Sequence, residues 1–165
     1  MRYIAHRGLF EGPDKEKENR PDQIELALRR GYDCEIDVWK ADGKWFLGHD
    51  EPTYEVTFDF LCNDRFWIHC KNFYALNHFV QNETEVKHYF WHQEDNYTLT
   101  NCGRIWTYPG MTVSKNSIAV MPERNSYYWA CTIAESNNLY GVCTDYVEKF
   151  INETRVMFVG TSQIV

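Results

Sequence analysis

The sequence lacks any long apolar segment. Its 165 residues are 44% hydrophobic, but no stretch approaches the ~18 uninterrupted apolar residues that a membrane-spanning helix needs. The N-terminal segment MRYIAHRGLFEG contains no apolar core of a secretory signal peptide. We therefore expect a protein that does not insert stably into membranes and that is located in the cytoplasm.

Basic residues are also in the minority. The chain has 17 Lys and Arg against 24 Asp and Glu, which gives a formal net charge of −7 at pH 7. A protein that binds a nucleic-acid backbone needs a basic face, because its affinity comes largely from neutralised phosphates. The composition therefore argues against nucleic acid as a partner.

The cysteines lack the paired spacing of metal-binding or redox motifs. No CxxC pair occurs among the six, which are Cys34, Cys62, Cys70, Cys102, Cys131 and Cys143. Scattered cysteines of this kind, several at apolar positions, fit buried reduced thiols in a cytosolic protein.

The chain has no internal repeat and no low-complexity linker, so we expect one domain over residues 1–165. Short runs rich in β-branched and aromatic residues predict eight strands. They are Arg2–His6, Asp33–Trp39, Trp45–His49, Phe66–Lys71, His88–Gln93, Arg104–Tyr108, Ser117–Met121 and Tyr140–Asp145.

One helix is predicted between the first two strands, in the segment RPDQIELALRRG. Ile24, Ala27 and Leu28 form an apolar stripe at helical spacing, Pro21 suits a first turn, and Gly31 suits the end. A strand, a helix and a strand in succession indicate a parallel pair. Further helices are predicted over Asn72–Gln81, Tyr127–Asn137 and Tyr146–Asn152.

Two carboxylates alternate with apolar residues in the second predicted strand. Because strand side chains alternate between faces, Glu35 and Asp37 project together while Ile36 and Val38 can pack under helices. Two such groups repel each other unless one is protonated or a cation lies between them. Oxygen ligands suit Mg²⁺, Mn²⁺ or Ca²⁺, so we interpret the pair as ligands of a divalent metal ion. The alternative is an ordinary solvent-facing strand edge.

Other motifs accompany this pair in a characteristic order. Over residues 3–50, the sequence resembles the glycerophosphodiester phosphodiesterase family. The motifs that carry the resemblance are His6-Arg7-Gly8, Glu18-Asn19, Glu35-Ile-Asp37-Val38, Ala41-Asp42-Gly43 and His49-Asp50. Later, Trp67-Ile-His-Cys-Lys71 is similar to the third strand of that family, and Gly141-Val-Cys-Thr-Asp145 is similar to its closing strand.

The resemblance implies an α/β fold, namely a compact, trimmed (β/α)₈ TIM-type barrel in which several helices are shortened or missing. It also implies metal-dependent hydrolysis of a small-molecule phosphodiester, with Glu35 and Asp37 as metal ligands and His6 and His49 as the acid–base pair. The chemistry agrees, since one imidazole must accept a proton and another must protonate the leaving alkoxide. We expect Arg7 and Lys71 to bind the substrate phosphate, because cations stabilise the charge that its attack creates.

The sequence departs from the family pattern in its third strand. The family has a carboxylate two residues before the lysine, whereas this chain has His69 before Lys71. Three alternatives remain open. His69 is itself a metal ligand, which would favour a transition ion over Ca²⁺; or a carboxylate such as Glu94 or Glu123 takes the position; or His69 faces the substrate and water completes the metal shell.

Several residues at strand ends are candidates for the wall of the pocket. His92, Trp106 and Tyr108 follow apolar runs, although each is equally consistent with core or turn positions. A second function also fits the motifs: a non-catalytic module that binds a phosphate ester or a sugar phosphate. Missing helices would expose apolar strand surface, so we expect a homodimer.

Overall fold

The computed structural model describes residues 1–82 and 85–161. Within these ranges the chain forms ten strands and five α-helices. The strands are β1 (Arg2–Ala5), β2 (Asp33–Ala41), β3 (Lys44–Leu47), β4 (Tyr54–Val56), β5 (Phe66–Cys70), β6 (Tyr89–Phe90), β7 (Tyr97–Leu99), β8 (Ile105–Thr107), β9 (Ser117–Val120) and β10 (Gly141–Thr144). The helices are α1 (Pro21–Arg29), α2 (Phe58–Leu61), α3 (Phe73–Gln81), α4 (Ser126–Ala134) and α5 (Val147–Thr161).

All the strands belong to one mixed sheet. Seven of them run parallel in the spatial order β6, β5, β2, β1, β10, β9, β8, and β7 adds an antiparallel edge to β8. β2 is long enough to change partners along its length. Its first residues pair with β1, its last residues pair with the β3–β4 hairpin, and β5 follows its other edge.

The prediction of a (β/α)₈ barrel is wrong, because the sheet curls into a half-barrel that does not close. β6 has only two residues and β7 runs antiparallel. Near the two ends of the sheet, the Asn101 backbone N–H donates to the Tyr89 carbonyl over 3.0 Å, and the Asn101 side chain accepts from the Tyr89 N–H over 2.8 Å. Within the described ranges, β6 and β7 do not pair as neighbouring strands of the sheet despite this contact. A closed barrel of this type usually takes ~250 residues, and several crossovers here are loops too short to hold helices.

The predicted secondary structure is otherwise largely confirmed. All eight predicted strands and four predicted helices occur, with ends shifted by a few residues, and α5 extends beyond Asn152 to Thr161. The strands β4 and β7 and the short helix α2 were not predicted. Within the described ranges, no helix is both long and apolar enough to cross a bilayer.

The alternation in β2 separates the two faces of the sheet. Cys34, Ile36 and Val38 are fully buried in the cluster that α1 and α3 cover. Glu35 and Asp37 therefore point to the opposite, concave face. A second apolar cluster lines that concave face deeper in the half-barrel: Ile4, Trp67, Phe90, Trp106, Ile118 and Cys143. The fold thus places two carboxylates above an apolar floor.

Candidate active site

A cavity of about 130 Å³ opens on the concave face, at the carboxyl ends of the parallel strands. Nine of the residues predicted from the sequence line it: His6, Arg7, Glu35, Asp37, His49, His69, His92, Trp106 and Tyr108. The carboxyl ends of parallel strands meet at one edge of a sheet, which is why residues far apart in sequence come together here.

Asp37 is held in place by a buried asparagine. Asn19 Nδ2 donates to Asp37 Oδ2 over 2.9 Å, and the Asp37 backbone N–H donates to Asn19 Oδ1 over 2.9 Å. Asn19 has a left-handed backbone with φ of 58° and is 0% exposed. Asparagine tolerates this conformation better than most residues, which explains its place before α1.

Three nitrogen groups surround the same carboxylate. His69 Nδ1 lies 3.0 Å and Lys71 Nζ 3.4 Å from Asp37 Oδ1, and Arg7 Nε lies 3.2 Å from Oδ2. Burial alone would raise the pKa of Asp37, but the hydrogen bond with His69 and the nearby positive charges outweigh it and lower this pKa strongly. Asp37 is therefore a buried anion with its charge compensated.

Glu35 has fewer partners than Asp37. Its Oε2 accepts from the Arg7 backbone N–H over 3.1 Å and lies 4.0 Å from His6 Nε2. Burial and the neighbouring charge of Asp37 raise the pKa of Glu35. The two carboxyl groups on one strand thus have opposite pKa shifts, and a cation near Glu35 would stabilise its ionised form.

Glu35, Asp37 and His69 together fit a divalent metal ion. One ligand atom from each lies within 4.8 Å of the other two, and all three residues are buried. Two carboxylates and one imidazole are a donor set that suits Mn²⁺ or a related transition ion, and also accepts Mg²⁺. Among the described residues these three form the group that can serve as metal ligands.

His6 lies in a 3₁₀ turn, His6–Gly8, directly after β1. Its Nδ1 is 2.8 Å from Asp145 Oδ1, at the end of β10. Burial opposes protonation of His6, but the hydrogen bond with Asp145 and the charge of Glu35 outweigh it and raise the pKa. Gly8 allows this turn to lie against α1, because a Cβ there would come within 2.9 Å of Ile24 Cγ1.

His49 approaches the cavity from the loop after β3. Its Nδ1 is 2.7 Å from Asp50 Oδ1, and its side chain is 40% exposed. Gly48, with φ of 151°, lets the Glu51 carbonyl approach the backbone closely, because a Cβ at position 48 would collide with that oxygen. Both imidazoles therefore have a carboxylate at Nδ1, which leaves each Nε2 available for another partner.

The remaining predicted wall residues have distinct settings. His92 stacks on His69 with 4.6 Å between ring centroids, and burial with the charges of His69 and Lys71 lowers the pKa of His92 to about 4. Trp106 is 6% exposed and stacks on Phe90 at 4.5 Å. Tyr108 is 45% exposed at the rim.

Three predicted site residues do not line the cavity. Lys71 is paired with Asp37. Glu94 is exposed, and Glu123 uses Oε1 to accept from the Asp145 backbone N–H over 2.8 Å. Of the three alternatives for the altered ligand position, the one that needs a carboxylate such as Glu94 or Glu123 lacks support from this geometry. His69 lies next to Asp37, which fits both alternatives that keep His69 in the site.

Sequence reasoning assigned no site role to Asn19, Asp145, Glu18 or Arg124. Glu18 accepts from Arg7 Nη1 over 2.7 Å, and Arg124 reaches the cavity from the turn Pro122–Arg124. Asn19 and Asp145 belong to the motifs Glu18-Asn19 and Gly141-Val-Cys-Thr-Asp145, which the sequence had already singled out, so their positions were a usable signal. Arg124 gives no sequence signal, because its place depends on the path of a turn.

Comparison with known proteins gives no relative: no family model, curated protein or solved structure matches this chain.

Proposed function

We propose that the protein hydrolyses a small phosphodiester with the help of a divalent metal ion. The observation that carries this proposal is one cavity in which two imidazoles, each with a carboxylate at Nδ1, flank a buried acidic pair. The resemblance of residues 3–50 to glycerophosphodiester phosphodiesterases supports the same reaction.

His6 and His49 are proposed to move the protons. One Nε2 accepts a proton from the attacking hydroxyl or water, and the other donates a proton to the oxygen of the leaving alcohol. Asp145 and Asp50 hold the two rings by Nδ1, which fixes the side of each ring that faces the reaction. The ring of His6 is almost enclosed, whereas that of His49 reaches solvent and so can exchange protons with it.

Glu35, Asp37 and His69 would hold the metal ion, which when bound supplies positive charge against the phosphate oxygens. Asn19 keeps Asp37 in the orientation that metal binding needs. Arg7 lies at the cavity wall and balances the charge of Asp37 and Glu18. Without the positive charge of Arg7, Glu35 and Asp37 would repel an anionic substrate.

The substrate class follows from size and charge. A cavity of about 130 Å³ has room for a phosphate and a small alcohol. The net charge of −7 disfavours nucleic acid. We also propose a cytoplasmic setting, because all six cysteines are free thiols.

Turnover of a chromogenic phosphodiester by purified protein with added Mn²⁺ tests the proposal. His6→Ala and His49→Ala should each lower kcat at least a hundredfold, which is the usual contribution of one acid–base group. His78→Asn is the matched control, because His78 lies on α3 away from the cavity. Equal turnover in all four proteins would remove the proposed roles of both histidines.

One observation favours a second candidate, a non-catalytic module that binds phosphate esters. Asp37 already has Asn19, His69, Arg7 and Lys71 as partners, so its charge is compensated without a metal ion. Such a module would bind a phosphate ester without metal and without consuming a diester. Calorimetry with glycerol phosphate in the presence of a chelator, together with the turnover assay, separates the two candidates.

A further inference from the structure

We propose that Arg124 is the residue that binds the phosphate of the substrate in this cavity, a role that the sequence predicts for Arg7 and Lys71. This inference rests on the proposed function and adds to it the group that selects an anionic substrate.

The two cations predicted for this role already have anionic partners. Arg7 places Nη1 2.7 Å from Glu18 Oε2 and Nε 3.2 Å from Asp37 Oδ2. Lys71 places Nζ 3.4 Å from Asp37 Oδ1 and does not line the cavity. A phosphate would have to compete with Glu18 and Asp37 for Arg7, and with Asp37 for Lys71.

Arg124 has a different set of partners. Its Nη1 donates to the Tyr108 hydroxyl over 2.9 Å, and its guanidinium lies 5.5 Å from the centre of the Tyr108 ring. Across the described part of the chain, no carboxylate forms an ion pair with it. Asp95 also lines the cavity, and its Oδ2 accepts from the Gln93 N–H over 3.0 Å. A guanidinium has five N–H donors, so most of those on Arg124 remain available for a ligand.

The backbone directs Arg124 towards the cavity. Met121 follows β9 with a left-handed φ of 46°, and its N–H donates to the Cys143 carbonyl over 2.8 Å. This bond fixes the start of the turn Pro122–Arg124, in which the Arg124 N–H donates to the Met121 carbonyl over 3.1 Å. Met121 and Arg124 both line the cavity as a result.

Charge explains why a cation is needed at this position. Glu35 and Asp37 are acidic groups in the cavity wall, and a phosphodiester carries a negative charge at neutral pH. An arginine on the wall offers paired N–H donors that match two phosphate oxygens. Arg124 would therefore hold the non-bridging oxygens, while one of His6 and His49 takes the proton of the attacking hydroxyl or water and the other protonates the oxygen of the leaving alcohol.

The test compares binding and turnover in four proteins: the wild type, Arg124→Met, Arg124→Lys and Arg104→Met. Arg104 is a matched control, because it also lies over a tyrosine ring, 3.9 Å from the centre of Tyr140, and donates to Asn116 rather than to a carboxylate, but it lies outside the cavity. Calorimetry in buffer with Mg²⁺ measures the binding of inorganic phosphate, and steady-state kinetics measure KM and kcat for the diester.

We expect Arg124→Met to weaken phosphate binding at least about tenfold, the scale of one charge-assisted hydrogen bond. KM for the diester should rise by a similar factor, and Arg104→Met should match the wild type. The phosphate affinity and the KM of Arg124→Lys should lie between those of the wild type and those of Arg124→Met. Circular dichroism checks that each variant folds, and the exposed position of Arg124 makes folding the expected result.

Failure of this inference is distinct from failure of the proposed function. If the wild type hydrolyses the diester and Arg124→Met keeps the same KM and phosphate affinity, the assignment of Arg124 is wrong and the function stands. If no diester is hydrolysed but phosphate binding depends on Arg124, the anion site stands and catalysis does not. Absence of phosphate binding by the wild type would overturn the assignment.

Discussion

At the residue scale, the side chains that would react depend on others that hold them. Asn19 orients Asp37 through two hydrogen bonds, and Asp145 holds His6 by Nδ1. Neither Asn19 nor Asp145 needs to touch a substrate. Each fixes a rotamer and, in the case of Asp145, stabilises the positive form of its partner.

Substitution of Asp145 by Asn tests this holding role. The carboxylate raises the pKa of His6, so its removal should lower that pKa. The limb of the kcat/KM profile that reports His6 should then move to lower pH, and kcat should fall at least about tenfold because the ring loses its fixed orientation.

The exposed Asp64 supplies the control for that experiment, since Asp64→Asn changes the same charge far from the cavity. A pH profile in Asp145→Asn that coincides with those of the wild type and of Asp64→Asn would contradict the holding role.

At the element scale, Asn72 joins α3 to β2. Its Oδ1 accepts from the Ala75 N–H over 3.0 Å, which caps the helix, and its Nδ2 donates to the Lys40 carbonyl over 2.9 Å. Asn125 caps α4 by accepting from the Tyr127 N–H over 2.8 Å and, among the residues that the structure describes, has no such bond to a strand. The pair therefore separates the effect of a cap from the effect of a link between elements.

We expect Asn125→Ala to lower the free energy of unfolding by ~1 kcal/mol, the usual effect of losing a cap. Asn72→Ala should lower it by ~2 kcal/mol, because the Lys40 carbonyl also loses a donor. Urea unfolding monitored by tryptophan fluorescence measures both values. A smaller loss for Asn72→Ala than for Asn125→Ala would show that the link to β2 contributes no stability.

At the scale of the whole molecule, local patterns were predictable and closure of the sheet was not. The alternation in β2 indicates the face of Glu35 and Asp37 because strand geometry has a period of two. Closure depends instead on whether distant edges meet in register. β6 and β7 are two and three residues long, and their sequences do not indicate how they pair.

The candidate site shows the same division. His6 and His69 were singled out because their motifs resemble those of the glycerophosphodiester phosphodiesterase family, and they come together because the carboxyl ends of parallel strands meet at one edge. Arg124 and Glu94 depend on the paths of loops, which no periodic pattern encodes, and so Arg124 was missed and Glu94 was placed in a site that it does not reach. The expected homodimer stays a prediction.

Metal binding by the carboxylate pair tests the central claim most directly. Calorimetric titration of the wild type with Mn²⁺, compared with the Glu35→Gln, Asp37→Asn double variant, measures it, with Asp22→Asn as a control on the exposed side of α1. We predict one saturable site in the wild type and in Asp22→Asn, and its loss in the double variant. Unchanged Mn²⁺ binding in the double variant, or no saturable binding by the wild type, would contradict a metal site at Glu35 and Asp37.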